Sequence, residues 1–275
     1  MDATQSLMLL VAGFAIAVPS SMIGVGGGFL IVPLLILVFQ LPAQNAVAIS
    51  LVAIWGTTLS ATVAYTRQRR VDFMLALFYD IFDLPGVVIG AYLTTLLPSN
   101  LLAGIVGIFI LLISMLLLTR KETSVSSKTM ERIEIESKTW KRSRIDSSGR
   151  LFEYNLRRPS LALVSSFLSG LVVGLAGLGG GIVDTTTMLL LGVPPHVAVA
   201  SSEFAMALTN GTGIISHGLL NNILIDYALL LTAGTIMGAQ VGSSLAKRVR
   251  GETLRKVLSI LASLVGLRLI LLALI

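Results

Sequence analysis

The sequence predicts an all-α integral membrane protein built from two inverted-topology repeats, and three observations support that prediction. The first is composition: 55% of the 275 residues are hydrophobic, only 12% are charged, and the mean hydropathy is +0.90. Soluble domains carry about a quarter charged residues, so the composition argues against a soluble fold. The second is a series of long apolar blocks, and the third is a set of motifs that occur twice.

Eight apolar blocks follow one another along the chain, and about 20 apolar residues are enough to cross a bilayer. The blocks are 7–39, 45–66, 74–97, 101–119, 160–192, 197–220, 225–246 and 253–274. As single helices, the 33-residue blocks 7–39 and 160–192 would each be about 50 Å long, well beyond a hydrocarbon core of about 30 Å. A cluster of glycines interrupts both. Each repeat is therefore predicted to be a glycine-broken helical hairpin followed by three transmembrane helices.

Basic residues are concentrated in three places, which predicts the topology. Of the 20 Lys and Arg residues, 11 lie in 120–158, three lie in 67–70 and five lie in 247–256. Short loops rich in Lys and Arg stay in the cytoplasm, so we predict that all three clusters are cytoplasmic. We expect a multi-pass protein of the plasma membrane with both termini outside. The basic balance then reflects topology and contact with lipid, and no nucleic-acid partner is predicted.

These features divide the chain into a first membrane repeat (1–119), a cytoplasmic charged linker (120–158) and a second membrane repeat (159–275). The linker is interpreted as a solvated connector, with a regulatory domain as the alternative. Charged and apolar residues alternate from Arg132 to Glu136, which indicates a strand. The chain has no cysteine, which excludes disulfides and thiolate metal sites.

Four motifs recur in the same order in the two halves, which indicates duplication. The matched pairs are GVGGG (24–28) with GLGGG (177–181), AVAIS (46–50) with AVASS (198–202), Asp72 with Asp226, and GVVIGA (86–91) with GTIMGA (234–239). The loops give the orientation. Loop 66–73 is basic and its counterpart 219–226 has no basic residue, whereas loop 97–101 is neutral and its counterpart 247–256 is basic. The repeats are therefore predicted to be inverted.

The paired glycine clusters predict a binding site. One glycine-interrupted apolar segment in each inverted half is typical of a transporter site near the bilayer midplane. The helices that begin after the breaks, from Phe29 and Ile182, direct their positive ends at the breaks, where they would bind a small anion. The predicted glycines are Gly24, Gly26, Gly27, Gly28, Gly177, Gly179, Gly180 and Gly181. The alternative role is close helix packing.

Together these features resemble the sulfite exporter TauE/SafE family of membrane permeases. The resemblance rests on the two glycine clusters, on Pro42, Pro194 and Pro195 after the hairpins, on the other paired motifs and on the two-half layout around a charged linker. It implies secondary transport of small sulfur-containing anions such as sulfite or sulfoacetate. We expect an exporter, although members of the family differ in substrate.

Polar side chains within the spans are candidates to complete the site. The hydroxyl and amide donors predicted to bind the anion are Ser50, Thr57, Thr58, Ser201, Ser202 and Asn210. Interhelical hydrogen bonding is their alternative role. Asp184 and Glu203 are acids at membrane depth, where a carboxylate is costly and indicates a function. We predict that they couple transport to protons, with Glu203 as the main candidate.

Two other functional classes are the alternatives to an anion carrier. A permease for divalent cations or other metals would use Asp184, Glu203 and His217 as ligands, although only one half would then supply them. An enzyme is disfavoured because the chain has no HExxH, GxSxG or paired-Asp motif, and no cofactor is expected. No nucleotide-binding motif is present, so an ion or substrate gradient must supply the energy. A homodimer is a further expectation.

Overall fold

The computed structural model describes residues 3–23, 26–119, 140–147, 149–156, 159–245 and 251–274 as a helical bundle with one β-hairpin. The first half consists of α1 (Ala3–Ile23), α2 (Gly28–Leu37), α3 (Ala43–Arg67), α4 (Phe73–Leu96) and α5 (Ser99–Thr119). The hairpin strands are β1 (Trp140–Ile145) and β2 (Leu151–Leu156). The second half consists of α6 (Pro159–Ala176), α7 (Gly181–Leu190), α8 (Pro195–Leu219), α9 (Ile225–Leu245) and α10 (Gly251–Ala273).

The architecture is that of a helical integral membrane protein. Within the described residues, α1, α3, α4, α5 and α10 are long and apolar enough to cross a membrane. The two long blocks are each broken into a long and a short helix, as the glycines predicted. Gly26 and Gly27 in the first break have φ angles of 75° and 83°, and Gly179 and Gly180 in the second have 78° and 49°. Only glycine adopts this left-handed region without cost.

Helices of the two halves interleave, with α1 packed along α9 and α4 packed along α6. The backbone carbonyls of Phe14 and Val18 face Gly238 and Gly242, in that order along the chain. Gly86 and Gly90 face the carbonyls of Phe167 and Leu171 in the same way. Both pairs therefore run parallel. The two pairs are equivalent, because α1 and α9 in one pair correspond to α6 and α4 in the other.

Equivalent helices of the two halves, in contrast, run antiparallel. Leu51 of α3 lies beside Gly213 of α8, and further along α3 the Trp55 indole donates a hydrogen bond to the Ala207 carbonyl at 2.9 Å. Ser114 of α5 bonds to Ser259 of α10, whereas Gly104, earlier in α5, lies beside Ala273 at the end of α10. This is the relation that inverted repeats require. The side of the membrane that each end faces stays a prediction.

The packing corrects two of the four motif pairs. Gly86 faces Phe167 and Gly238 faces Phe14, and these two phenylalanines occupy equivalent places one repeat apart. Gly86 is therefore equivalent to Gly238, and the pairing of 86–91 with 234–239 is wrong by one helical turn. Glycines recur at 234, 238 and 242, so the motif matches in two registers.

The second correction concerns the pairing of Asp72 with Asp226. Arg69 and Asn221 are left-handed residues that lie two positions after the ends of α3 and α8, with φ angles of 57° and 56°, and they lie 152 positions apart. The same offset makes Asp72, the N-cap of α4, equivalent to Leu224, which directly precedes α9. The pairing with Asp226 is therefore wrong by two residues.

The β-hairpin is an element that the sequence analysis missed. β1 and β2 pair antiparallel, with Trp140 opposite Leu156 and Ile145 opposite Leu151. Trp140 packs on Phe78 of α4 at a centroid distance of 5.1 Å, so this part of the linker rests on the bundle and is not a solvated connector. The strand indicated at Arg132–Glu136 lies outside the described residues.

The hairpin marks one end of the bundle, which we call the hairpin side. It includes residues 68–72 between α3 and α4, and the start of α8, where His196 contacts Phe152 of β2. The equivalent turn before α3 lies at the opposite side, where the Ala43 amide donates to the Ser99 hydroxyl at 2.9 Å. Equivalent turns thus lie at opposite ends of the bundle.

Candidate functional site

The two glycine breaks meet inside the bundle. A Cβ atom on Gly28 would lie only 2.5 Å from the Gly177 carbonyl oxygen, so the two segments approach as closely as glycine allows. Gly26 and Gly179 both pack on Ile54, a fully buried residue halfway along α3. The Ser50 hydroxyl, one turn earlier on α3, donates to the Gly177 carbonyl at 2.8 Å. Gly24 lies outside the described residues.

A cavity of about 660 Å³ reaches the first break from the hairpin side. It is formed mainly by α1, α3 and α9, and by the residues that follow α3. Its polar lining residues are Ser20, Ser21, Thr57, Ser60, Tyr65, Gln68, Arg70, Glu203 and Gln240, and Gly26 also lines it. Non-helical backbone at membrane depth is tolerated where it lines a polar cavity of this kind.

Ser20 is the hydrogen-bond donor best placed at the first break. Its side chain is buried, its hydroxyl has no hydrogen-bond partner, and it lies 3.2 Å from where a Cβ on Gly27 would be. The Thr57 hydroxyl donates to the Ile54 carbonyl at 2.7 Å, and Gln240 bonds to Ser60 at 2.6 Å. A buried hydroxyl without a partner is costly, and a ligand accepting from it would remove that cost.

The charged side chains of the cavity lining are Arg70 and Glu203. Tyr65 interacts electrostatically with both of them, which places the three groups in one neighbourhood. Arg70 forms an ion pair with Asp146 of the hairpin at 3.3 Å, but its Nε atom is buried and has no hydrogen-bond partner. A cation with a free donor therefore stands at the cavity mouth, and an acid lies on the same path.

The second break is closed. Gly177, Gly179, Gly180 and Gly181 are buried, and a Cβ on Gly181 would lie 2.5 Å from the Met206 sulfur. Asn210 follows Met206 by one turn on α8, is fully buried, and has no partner for either amide atom.

Two predicted hydroxyls lie at or near this second break. Ser50 contacts it directly through Gly177. Ser202 bonds to the Thr185 hydroxyl of α7 at 2.7 Å, within the helix that begins at the break. Both hydroxyls have protein partners, whereas the Asn210 amide has none.

Asp184 does not share the cavity with Glu203. It belongs to a buried group of carboxylates, in which it interacts electrostatically with Asp80 and Asp83 of α4. The Thr209 hydroxyl lies 2.5 Å from Asp83 Oδ2 and 3.3 Å from Asp80 Oδ1. Tyr79, also buried, has a hydroxyl without a partner and interacts electrostatically with Asp184. The two predicted coupling acids therefore stand in separate environments.

The other predicted residues lie away from the breaks. The Thr58 hydroxyl donates to the Trp55 carbonyl within its own helix at 3.1 Å, and the Ser201 hydroxyl accepts from the Asp72 amide at 2.9 Å on the hairpin side. His217 donates from Nε2 to the Gly174 carbonyl at 2.8 Å. Within the described residues, Asp184, Glu203 and His217 do not form a group that would hold a metal ion.

The hairpin holds the mouth of the cavity. The Ser147 amide donates to the Gln68 carbonyl at 3.0 Å, and Arg142 is paired with Asp72. Burial by itself would raise the pKa of Asp72, but hydrogen bonds from Arg142 and Tyr154 outweigh it and hold the pKa below its ordinary value. Asp72 is therefore ionised at neutral pH, and the hairpin is fixed beside Arg70.

Sequence reasoning missed Ser20, Tyr65, Arg70 and Gln240 as candidate binding residues, and assigned Arg70 only to the topology. A usable signal was present in α3. Thr57, Ser60, Ala61 and Ala64 recur at helical spacing and form a stripe of small or polar residues.

A helical bundle with a polar cavity that leads to a pair of broken helices defines a membrane transporter. The chain matches the family model described as sulfite exporter TauE/SafE over residues 9–269. The chain therefore belongs to the sulfite exporter TauE/SafE family, and it is a transporter rather than an enzyme.

Several curated proteins resemble the chain. The probable membrane transporter protein YunE of Bacillus subtilis is 33% identical over 272 residues, which cover 96% of this chain and 97% of that protein. The probable membrane transporter protein MJ0441 of Methanocaldococcus jannaschii is 24% identical, over 94% and 93% of the two chains. Sulfite exporter TauE/SafE family protein 3 of Arabidopsis thaliana is 37% identical over 82 residues, 30% and 17% of the two chains. No solved structure matches the chain.

Proposed function

We propose that the protein is a secondary exporter of small sulfur-containing anions such as sulfite or sulfoacetate, bound where the two glycine breaks meet. One observation carries the proposal. A single polar cavity joins Arg70 at its mouth to Ser20 and Gly26 at the first break. In this proposal the hairpin side faces the cytoplasm, and the anion enters the cavity from there.

The chemistry of the path suits a small oxyanion. Arg70 attracts the anion electrostatically, and its free Nε–H is a charge-assisted donor. At the break, the Ser20 hydroxyl and the positive end of α2 replace part of the hydration shell. Asn210 supplies an amide donor near the second break. With neutral dipoles at the break and one cation, Arg70, at the mouth, the site binds an anion weakly enough to release it again, which transport requires.

The substrate class is supported by the family and by the names of two relatives. The matching family is described as a sulfite exporter, and proteins 3 and 6 of the family in Arabidopsis thaliana carry the same description. The Bacillus relatives are named only as probable membrane transporters. The anion therefore comes from the family description, and the site adds the physical means of binding it.

Glu203 is proposed as the coupling acid. It lines the same cavity as Arg70, so an ionised Glu203 would repel the anion that Arg70 attracts. Binding a proton removes that repulsion, which links anion occupancy to a proton. Asp184 lies with Asp80 and Asp83 in a closed environment and is not among the cavity-lining residues, so its protons do not exchange along this path in the conformation described.

Flux in proteoliposomes tests the proposal. The protein is reconstituted, and efflux is compared for sulfite, sulfoacetate, sulfate and a divalent cation. We expect flux of at least one of the two sulfur anions, a marked loss in Arg70→Gln, and no flux of the divalent cation. Arg268→Gln, which changes an arginine of α10 away from the cavity, is the matched control. Cation flux without anion flux would contradict the proposal and indicate a metal permease instead.

A further inference from the structure

The cavity at the hairpin side has a closed counterpart at the opposite side. Residues of α1 and α2 are equivalent to those of α6 and α7 at an offset of 153 positions, and residues from α3 onward are equivalent to those from α8 onward at an offset of 152. At these offsets the cavity residues Ser20, Glu203 and Ala239 correspond to Val173, Leu51 and Val87. Those three counterparts are fully buried and form one apolar cluster of their own. The equivalent space is therefore filled with side chains.

The mouth of the cavity has a closed counterpart as well. Tyr65 and Arg70 correspond to His217 and Asn222. His217 is fully buried, its Nδ1 lies 3.0 Å from Asn222 Nδ2, and its Nε2 donates to the Gly174 carbonyl. Gly174 corresponds to Ser21, another cavity residue. The residues that line the cavity mouth in the first repeat thus have counterparts in the second repeat that are hydrogen-bonded to each other.

We propose that the Leu51–Val87–Val173 cluster is a closed gate, and that behind it lies a second vestibule for the same anion, lined by Thr209, Thr212 and His217 and opening to the opposite side. This rests on the proposed function for the identity of the ligand. When the two repeats exchange conformations, the cavity closes and the vestibule opens, because each set of residues takes the place of its equivalent.

The second vestibule differs from the cavity in charge. Asn222 stands where the cavity has Arg70, so the attracting cation is missing on that side. Thr209, the equivalent of Thr57, is hydrogen-bonded to Asp83. A small anion is therefore held less tightly in the vestibule than in the cavity, which favours release at the opposite side.

Single cysteines test the gate, because the chain has no cysteine of its own. Ser60→Cys reports on the cavity and Thr212→Cys, its equivalent, reports on the vestibule. A membrane-impermeant maleimide is applied from each side of the membrane, with sulfoacetate as the anion because sulfite consumes the reagent. We expect Ser60→Cys to react from the hairpin side, and Thr212→Cys to react from the other side at a rate that rises during turnover.

Val173→Ser, which places in the gate the residue found in the cavity, should raise Thr212→Cys labelling several-fold and lower that of Ser60→Cys. Val172→Ser, the same change one position away, is the control and should do neither. Labelling of Thr212→Cys from the hairpin side, or none from either side while sulfite flux persists, would overturn the gate. Reciprocal labelling without anion flux would support the gate and overturn the proposed function instead.

Discussion

Arg142 of the hairpin grips Asp72 through two hydrogen bonds, with Nη2 at 2.6 Å from Oδ1 and Nε at 3.0 Å from Oδ2. The Tyr154 hydroxyl donates to the same carboxylate at 2.7 Å. Asp72 is also the N-cap of α4, where it accepts from the amides of Met74 and Leu75. One buried carboxylate therefore joins the hairpin, the start of α4 and the edge of the cavity mouth.

We predict that Asp72→Asn releases the hairpin from the bundle. The substitution removes the charge that pairs with Arg142, whose side chain is partly exposed, and losing a hydrogen bond to a charged group costs about 1.5–3 kcal/mol. Limited proteolysis at the turn between β1 and β2 measures the release, and cleavage should become much faster. Asp226→Asn, an exposed acid in the first turn of α9, is the control and should leave the cleavage rate unchanged. Equal cleavage rates in both variants would show that Asp72 does not hold the hairpin on the bundle.

The same carboxylate predicts a pH dependence of hairpin docking. The pKa of Asp72 is lowered in the folded state, so its contribution is fully present above the ordinary aspartate pKa of about 3.9 and is lost as the pH falls through the lowered value. Amide exchange of residues 140–156 should stay slow down to about pH 4 and then accelerate. Loss of protection centred near neutral pH would point to another titrating group.

Glu203→Gln should separate anion transport from proton coupling. Glutamine has the volume of the neutral acid, so sulfite exchange should persist while the dependence of net flux on a proton gradient is lost. Asp184→Asn is the matched comparison and should keep that dependence, because Asp184 does not line the cavity. Flux is measured in proteoliposomes with and without an imposed pH gradient. An unchanged gradient dependence in Glu203→Gln would leave this acid a structural role.

Arg69→Cys and Asn221→Cys should be labelled from opposite faces of the membrane. Both residues are left-handed and follow equivalent helices, so the two substitutions place the same strain in equivalent turns. An impermeant thiol reagent applied to intact cells should reach Asn221→Cys only, and Arg69→Cys only after the membrane is opened. Labelling of both from one face would contradict the inverted arrangement.

Much of the fold was predictable because apolar length and glycine position are local features. The breaks at Gly26–Gly27 and Gly179–Gly180 could be predicted for that reason, since glycine adopts positive φ angles without steric cost. The register of the late glycine motif could not be predicted, because glycines one turn apart match equally well. Only the contacts with Phe14 and Phe167 show which glycines are equivalent. The hairpin was missed because its partners, Asp72 and Phe78, are distant in the sequence.

The candidate site was only partly predictable. The glycine breaks were found because they repeat, and Glu203 because an acid at membrane depth is costly. Ser20 and Arg70 were missed because each is ordinary in its local context. Which hydroxyls are free also depends on tertiary contacts: Ser50 is occupied by Gly177, whereas Ser20 has no partner.

Sulfite binding to the purified protein, measured by calorimetry, tests the central claim that the anion binds where the two breaks meet. Wild type should bind sulfite, and Gly27→Ala should weaken binding by about tenfold or more, because a side chain at a φ of 83° costs about 1–2 kcal/mol and moves the backbone that contacts the anion. Gly149→Ala places the same strain at a φ of 81° in the open turn of the hairpin, and should bind like wild type. Equal affinity in wild type and a monodisperse Gly27→Ala protein would contradict the account.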